Sequence, residues 1–323
     1  MLRTTHVTQI DRRRAVSAFA LATLATATLV VTTGCGKKDK EPERTADSGT
    51  VSVPVATTPA TEVPVQVDTP KVSVNVSFEE AEGAYKARRY GEAVQMFSAY
   101  VERRPENAWG QYMLGLSAWK AGDLVVSRTA FERSLELDPK HVKSMLNLTR
   151  VLLEEGKPED ALVRISTAMT LDSTSGEVYR LMGRVRTALR QPDAAIESYR
   201  VALALDPEDG WSMNNMALVM IQQGRFDEAL APLARAVQLD SGVVVFRNNL
   251  GIALERTGHY VAAAEVYRSA LALDSSYTKA SASLTRVDGR KDEPTATPVD
   301  LVALGEQFAL EVKGWSESRV AKR

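Results

Sequence analysis

The chain has 323 residues and one cysteine. Its formal net charge is −1, so it carries no bulk positive field to hold nucleic acid or an anionic membrane surface. Its three histidines, His6, His141 and His259, lie far apart, and no metal-ligand cluster can be drawn from them. The sequence contains no Gly-rich phosphate loop, nucleophile elbow or Ser/His/Asp order. We therefore expect no enzymatic activity, no cofactor, no metal and no nucleic-acid partner.

Residues 1–34 are predicted to be an export signal. Arg3 and the run Arg12–Arg14 precede an uncharged apolar stretch, "AVSAFALATLATATLVV". A basic segment followed by such a stretch is typical of secretory signals. The stretch is rich in Ala and Thr, which makes it only weakly hydrophobic as a permanent membrane span.

The end of this segment, "VTTGC", resembles the lipobox of bacterial lipoproteins. The resemblance implies cleavage before Cys35, acylation of that cysteine and a lipid anchor in the cell envelope. Gly34 fits the small residue before the cut, whereas Thr32 departs from the aliphatic residue usual three places before the cysteine. In lipoproteins that reach the outer membrane, the residue after the cysteine is typically not Asp. Here that residue is Gly36, which favours the outer membrane, with the protein facing the periplasm. Cleavage of an ordinary signal nearby and an uncleaved anchor remain the alternatives.

Residues 35–73 follow as a tether. The segment consists mainly of Pro, Thr, Ser, Val and charged residues, with too little apolar bulk to form a core. Its prolines also break any central strand ladder. We predict an extended, disordered link between the lipidated cysteine and the remainder of the chain.

One short phrase then recurs every 34 residues: "SLELDPK" at Ser134 is followed by variants at Ala168, Ala202, Ala236 and Ala270. Small residues fill one column of this repeat, and large apolar residues fill another. The small column holds Ala81, Gly115, Thr149, Gly183, Ala217 and Gly251; the large one holds Phe97, Phe131, Ile165, Tyr199, Leu233 and Tyr267. Apolar spacings of three and four predict two amphipathic helices per unit, packed closely at the small positions.

The period, the helix–turn–helix pattern and the small crossing positions resemble the tetratricopeptide repeat (TPR) family. The resemblance covers residues 74–287, as six units that begin at 74, 108, 142, 176, 210 and 244 and a partial seventh. It implies an all-α, right-handed superhelical solenoid of about six helix–turn–helix repeats, closed by a capping helix at about 277–287. Glycines are predicted to form the turn within four units: Gly122, Gly156, Gly224 and Gly258.

In this family the first helix of each unit lines a concave surface that binds partners. Carried over by position, the predicted groove residues are Trp109, Tyr112, Trp119, Asn147, Arg150, Arg180, Arg184, Trp211, Asn214, Asn215, Asn248 and Asn249. The aromatic residues either receive an apolar side chain of a partner or pack within the repeats. Arg180 and Arg184 either attract an anionic partner or form salt bridges to Glu177 or Glu154. The asparagines either bind an extended peptide backbone or bond to their helical neighbours.

Residues 288–323 are predicted to be a linker and an amphipathic helix. Leu301, Leu304, Phe308, Val312 and Trp315 share one helical stripe, which must be buried on something. The helix packs on the last repeat, lies in the groove or binds a partner.

Together these features predict a non-enzymatic scaffold, lipid-anchored in the bacterial envelope, that binds a protein or peptide segment in its groove and helps to assemble or position an envelope complex. The alternatives are a regulatory TPR subunit of a separate enzyme and a structural protein that self-assembles through the helix of Trp315. The sequence identifies neither the client nor the oligomeric state.

Overall fold

The computed structural model describes residues 75–320, and within them all regular structure is helical. Each of the six units contributes a first helix, termed the A helix, and a second, termed the B helix. The A helices are α1 (Phe78–Lys86), α3 (Ala108–Ala121), α5 (Val142–Glu154), α7 (Gly176–Ala188), α9 (Gly210–Gln222) and α11 (Val244–Arg256). The B helices are α2 (Tyr90–Arg103), α4 (Leu124–Leu137), α6 (Pro158–Leu171), α8 (Pro192–Leu205), α10 (Phe226–Leu239) and α12 (Tyr260–Leu273). Two more helices follow, α13 (Thr278–Val287) and α14 (Leu301–Val320).

The helices stack as successive hairpins. Each A helix packs against the B helix of its own unit and against the B helix of the unit before it. Successive A helices also touch one another, whereas no two successive B helices do within residues 75–320. The stack therefore curves with the A helices on its inner side and the B helices on its outer side, which confirms the predicted helical solenoid.

The recurring phrase marks the end of each B helix. Asp138, Asp172, Asp206, Asp240 and Asp274 are the C-caps of five B helices. In every case the carboxylate accepts the backbone N–H two residues later, as Asp138 Oδ1 does from Lys140 at 3.1 Å. This local bond offers the backbone an alternative to another helical turn. The phrase recurs because the B helices of units two to six end in the same way, whereas that of unit one has Arg104 as its C-cap.

In all six units, one residue of the turn between the two helices has a positive φ and so adopts the left-handed backbone conformation. Gly122, with φ of 86°, and the three other predicted turn glycines adopt this conformation. Units one and four have no glycine there, and Arg88 and Arg190 take positive φ values of 61° and 57° instead. A non-glycine residue in this region carries a local strain that the surrounding helix packing must offset.

The small column packs directly beneath the large one. A Cβ atom added to Gly115 would lie 2.7 Å from Cδ1 of Phe131, and one added to Gly183 would lie 2.5 Å from Cε1 of Tyr199. Gly251 meets Tyr267 in the same way. Both tyrosines are fully buried. Each aromatic ring thus occupies the volume that a side chain on the facing A helix would need.

Helix α14 packs in cis on the outer side of the stack. It lies across α10 and α8, the B helices of units five and four. Phe308 and Val312 are buried there, and the ring of Trp315 lies edge-on to Phe308 with centroids 5.7 Å apart. Gln238 Nε2 on α10 donates to the carbonyl of Val302 at 3.2 Å. The helix therefore occupies neither the last repeat nor the inner groove.

The linker before α14 is fastened to unit six. Nε2 of His259 lies 2.7 Å from the carbonyl oxygen of Thr297. The hydroxyl of Tyr260 donates to Glu293 at 3.0 Å, and the backbone N–H of Val261 donates to Asp292 at 2.8 Å. These bonds lead the chain from the capping helix to the outer face.

Candidate functional site

A cavity of about 380 Å³ opens on the inner side of the stack, between the A helices of units three, four and five. We call it the groove pocket. Its lining residues are Arg150, Glu177, Arg180, Leu181, Arg184, Trp211 and Asn215. Five of the twelve predicted groove residues are thereby brought together: Arg150, Arg180, Arg184, Trp211 and Asn215. The other seven lie elsewhere.

Two of the three arginines in the groove pocket are held by acidic residues. Arg150 donates from Nη1 to Asn147 Oδ1 at 2.8 Å and from Nη2 to Glu177. Arg180 Nη1 donates to Asp209 Oδ2 at 2.7 Å, and that carboxylate is almost fully buried. The sequence suggested Glu177 or Glu154 as partners for Arg180, but Asp209 takes that role.

Asp209 was missed by sequence reasoning. It is the N-cap of α9, where its Oδ1 accepts the backbone N–H of Ser212 at 3.3 Å and its Oδ2 accepts the Ser212 hydroxyl at 2.6 Å. The same carboxylate thus caps one helix and holds Arg180 of the preceding unit. An acidic residue at the N-cap of an A helix, 29 residues after an arginine, is a signal that could have revealed the pair.

Arg184 is the third arginine, and it differs from the other two. It is exposed to the groove and has no hydrogen bond or ion pair among the residues that the structure describes. Glu154 lies near enough to favour its charged form, yet the Glu154 carboxylate instead accepts the indole N–H of Trp119 at 3.0 Å. Desolvation lowers the pKa of Arg184, and the charges of Arg150 and Arg180 lower it further, whereas Tyr199 and Glu154 partly oppose the shift.

Trp211 forms the apolar wall of the groove pocket. Its side chain is 48% exposed, and its ring lies edge-on to the buried ring of Phe246 at 4.9 Å between centroids. That contact holds the indole against α11 and leaves about half of the residue exposed. Asn215 is half-buried beside it, and its Oδ1 accepts the amide of Asn214 at 3.2 Å.

The other asparagines correct our expectation of an open column for peptide binding. Asn214, Asn248 and Asn249 are only 1%, 3% and 7% exposed. Asn249 Nδ2 donates to Asn214 Oδ1 at 2.8 Å, which joins units five and six, and Asn248 donates to Asn249 at 3.3 Å. Buried amides usually find partners inside the protein, and these amides do so in part: the side-chain oxygen of Asn248 is buried and has no hydrogen bond within the described residues. The bond between Asn249 and Asn214 thus holds two neighbouring units together.

A spacing of 35 residues is the sequence signal for such contacts. It separates Asn214 from Asn249, and it also separates Tyr112 from Asn147. Asn147 is buried as well, and its Nδ2 lies 3.4 Å from the Tyr112 hydroxyl. Trp119 and Glu154 show the same interval. A polar side chain on one A helix therefore meets the residue one position further along on the next A helix.

The predicted aromatic end of the groove lies in unit two. Trp109 is 44% exposed and stacks on Tyr112 at 4.9 Å between centroids, whereas Tyr112 itself is buried. The ring of His141 meets both, and the Lys143 ammonium lies 5.9 Å from the Trp109 centroid. Partial burial lowers the pKa of His141. Trp119 is half-buried and held by Glu154, so Trp109 is the predicted aromatic in this unit that the structure leaves most open.

A second cavity, of about 490 Å³, lies on the outer side between α8 and α14. Its cations are already engaged by aromatic rings. The guanidinium of Arg200 lies 5.4 Å from the centroid of Trp315, and that of Arg319 lies 5.5 Å from the centroid of Tyr179. None of the predicted groove residues lines it. We regard it as a gap left by the docking of α14.

Residues 75–320 contain neither a candidate metal site nor a candidate membrane-spanning helix. No group of three or more His, Cys, Asp or Glu side chains is placed to hold a metal ion. No helix in that range combines the length and apolar character needed to cross a membrane. Cys35, the predicted lipidation site, and the predicted signal and tether lie outside the described residues.

Profiles of the tetratricopeptide repeat match residues 78–141, 112–165, 166–241 and 214–278, which together run from 78 to 278 without a gap. The chain belongs to the tetratricopeptide repeat family. This fold is typically a non-enzymatic scaffold for protein–protein interaction. No curated protein matches the sequence.

Solved structures share the fold of this TPR protein. A chain in the crystal structure of the APC/C hetero-tetramer Cut9–Hcn1 matches with a TM-score of 0.56 and 17% identity, over 74% of this chain and 45% of that one. MamA from Desulfovibrio magneticus RS-1 matches with a TM-score of 0.47 and 18% identity, over 50% and 92% of the two chains. YrrB, described as a TPR protein with an unusual peptide-binding site, matches with a TM-score of 0.43 and 19% identity, over 58% and 97%.

Proposed function

We propose that this TPR protein is a non-enzymatic scaffold that binds an extended segment of another protein along its inner surface. The observation that carries the proposal is the groove pocket, where an exposed indole lies beside Arg184, which has no hydrogen bond or ion pair within residues 75–320. Exposed Trp and Arg side chains are over-represented among residues that dominate binding energy. A bound segment could cover the indole of Trp211 and pair with the guanidinium of Arg184 at the same time.

Site-specific photo-crosslinking in cells tests this binding surface. A photoreactive residue replaces Asn215 in the full chain, and a matched probe replaces Val163, which is 62% exposed on a B helix. We expect the probe at position 215 to capture a discrete protein partner that the probe at 163 does not. Equal capture at both positions, or capture at 163 alone, contradicts the inner-surface proposal.

We further propose that the scaffold is held in the bacterial envelope by lipids on Cys35, at the outer membrane and facing the periplasm. The support is the sequence around that cysteine, with Gly34 before it and Gly36 after it. Two or three acyl chains hold a protein stably at a bilayer, where a single chain does not. The tether would then let the repeats reach a client above the lipid surface, in line with assembling or positioning an envelope complex.

Two substitutions test the anchor and its destination. Cys35→Ala should release the protein from washed membranes and abolish incorporation of labelled palmitate; unchanged membrane association would refute lipidation. Gly36→Asp should move the protein from the outer-membrane fraction to the inner-membrane fraction while palmitate labelling persists. If neither substitution changes the fractionation, the proposed envelope destination is wrong.

A further inference from the structure

We propose that the groove pocket selects a segment with an internal Asp or Glu, whose carboxylate binds Arg184 while a neighbouring apolar side chain packs on Trp211. The inference rests on the proposed function, because it specifies the chemistry of the segment that the inner surface would bind. It depends on one asymmetry among the three arginines of the pocket: within the part of the chain that the structure describes, two have acidic partners and the third has none.

Arg150 and Arg180 already have acidic partners. The guanidinium of Arg150 is shared between Glu177 and Asn147. That of Arg180 is paired with Asp209, whose carboxylate is buried and fixed by its role as a helix cap. If Arg180 left Asp209 to bind a ligand, the buried carboxylate of Asp209 would have no ion-pair partner. One new ion pair with the ligand would not recover that cost. Arg180 therefore stays with its buried partner, and Glu177 competes for Arg150, so an incoming acid meets the least competition at Arg184.

Arg184 lies one helical turn after Arg180 on α7, so the two positive charges repel each other. Arg150 faces the same cavity and adds to this field. Among the described residues, Glu154 is an acid near Arg184 that forms no ion pair, and one of its carboxylate oxygens accepts the indole N–H of Trp119. A carboxylate in the groove pocket would thus meet a guanidinium that has no hydrogen bond or ion pair among the described residues and that lies beside two other positive charges.

The guanidinium of one arginine accommodates one carboxylate through two parallel hydrogen bonds. Such a pair is stronger in a partly enclosed pocket than in open water, because the local dielectric is lower. Trp211, on the next A helix, supplies the apolar contact beside it. The combination fits an acidic residue flanked by an apolar one.

The acid is assigned to the interior of a segment because the inner surface continues on both sides of the pocket. Toward the N-terminus, the exposed ring of Trp109 and the ammonium of Lys143 lie on the A helices of units two and three. Toward the C-terminus, the A helices of units five and six continue the same surface. A chain can therefore enter and leave the pocket in extended form.

The test uses the full chain in detergent and an array of twelve-residue peptides with randomised flanks and a central Glu, Gln or Lys. The peptides carry amidated C-termini in one arm and free carboxylates in the other. The variants are Arg184→Gln, Arg184→Lys and Trp211→Ala. The matched control is Arg164→Gln, which removes an exposed arginine from B helix α6 that likewise has no partner among the described residues.

We expect wild type to retain Glu-centred peptides in preference to Gln- and Lys-centred ones, in both C-terminal arms. Arg184→Gln should weaken Glu-centred binding about tenfold to a hundredfold and abolish the preference, as expected for loss of a hydrogen bond to a charged group. Arg184→Lys should keep a weaker preference for Glu-centred peptides. Trp211→Ala should weaken the binding of all peptides with apolar flanks, and Arg164→Gln should bind as wild type does.

The outcomes separate the two claims. If peptides bind but the central residue makes no difference, or if Arg184→Gln binds like Arg164→Gln, the carboxylate assignment is wrong and the scaffold function stands. If binding requires a free C-terminus, the acid is terminal and the internal assignment is wrong. If no peptide binds in any arm, the proposed function itself fails.

Discussion

Replacing Gly183 with Ala tests the packing that sets the spacing between A and B helices. The new Cβ would lie 2.5 Å from Cε1 and 2.7 Å from Cζ of Tyr199, distances that no relaxed contact allows. Tyr199 is 1% exposed, so its ring cannot swing into solvent. Overpacking of a well-filled core costs about 2–3 kcal/mol at this severity. Ala gains about 1 kcal/mol over Gly in a helix interior, which leaves a net loss of about 1–2 kcal/mol.

Urea unfolding followed by far-UV circular dichroism measures this loss. Gly83→Ala is the matched control, because Gly83 is exposed in helix α1 and a Cβ there would meet nothing within 4 Å. The control should gain about 0.5–1 kcal/mol from helix propensity alone. If Gly183→Ala is as stable as wild type or more so, the steric account of the small column is wrong.

A double-mutant cycle sharpens the result. Unit five has Ala217 and Leu233 at the positions that correspond to Gly183 and Tyr199. Gly183→Ala combined with Tyr199→Leu copies that pair, so the two changes should couple favourably by about 1 kcal/mol or more. Additive losses would show that Tyr199 does not set the limit at position 183.

Three further predictions follow from buried or partly buried side chains. Asn249→Ala should destabilise the stack by about 1–3 kcal/mol, because it leaves the amide oxygen of Asn214 buried without a donor. Asn215→Ala should change stability little and should weaken segment binding. Phe308→Ala should undock α14 and raise its hydrogen exchange without affecting units one to three, while Leu310→Ala, at a 70% exposed position on the same helix, should not. The pKa of His141 is lower in the folded protein than in the unfolded chain, so as the pH falls the unfolded chain takes up this proton before the folded protein does. Stability should therefore fall as the pH drops below about 6.5. His141→Gln should flatten this part of the pH profile of stability, and an unchanged profile would show that His141 is not its cause.

The sequence predicted the architecture because every unit repeats the same physical requirements. A 34-residue period, small residues at the helix crossings and an aspartate stop each recur often enough to be recognised. The left-handed turns at Arg88 and Arg190 could not be predicted, since nothing in those residues favours positive φ. Their conformation is imposed by the packing of the helices that they join.

The inner surface was predicted less completely, because position within a helix does not determine what a side chain faces. Arg150, Arg184 and Trp211 do line a common pocket. Asn214 and Asn249 occupy positions of the same type and are buried against each other. Whether a polar side chain faces the groove or the next unit depends on its partner 35 residues away, which a reading of one unit at a time does not include.

The site of α14 was also beyond sequence reasoning. Its apolar stripe correctly indicated a buried face, and Phe308 and Val312 are indeed buried. The receiving surface, however, is built from α8 and α10, helices that are 34 residues apart in the chain and come together only in the folded stack. No local pattern identifies such a surface.

Hydroxyl-radical footprinting of the full chain, with and without the partner captured by crosslinking, tests the central claim most directly. Trp211 and Trp109 are 48% and 44% exposed on the inner surface, while Val163 and Val125 are 62% and 64% exposed on B helices. A segment bound along the A helices should protect both tryptophans from oxidation and leave both valines unchanged. Protection of the valines, with the tryptophans oxidised as fast as in the free protein, would contradict binding along the inner surface.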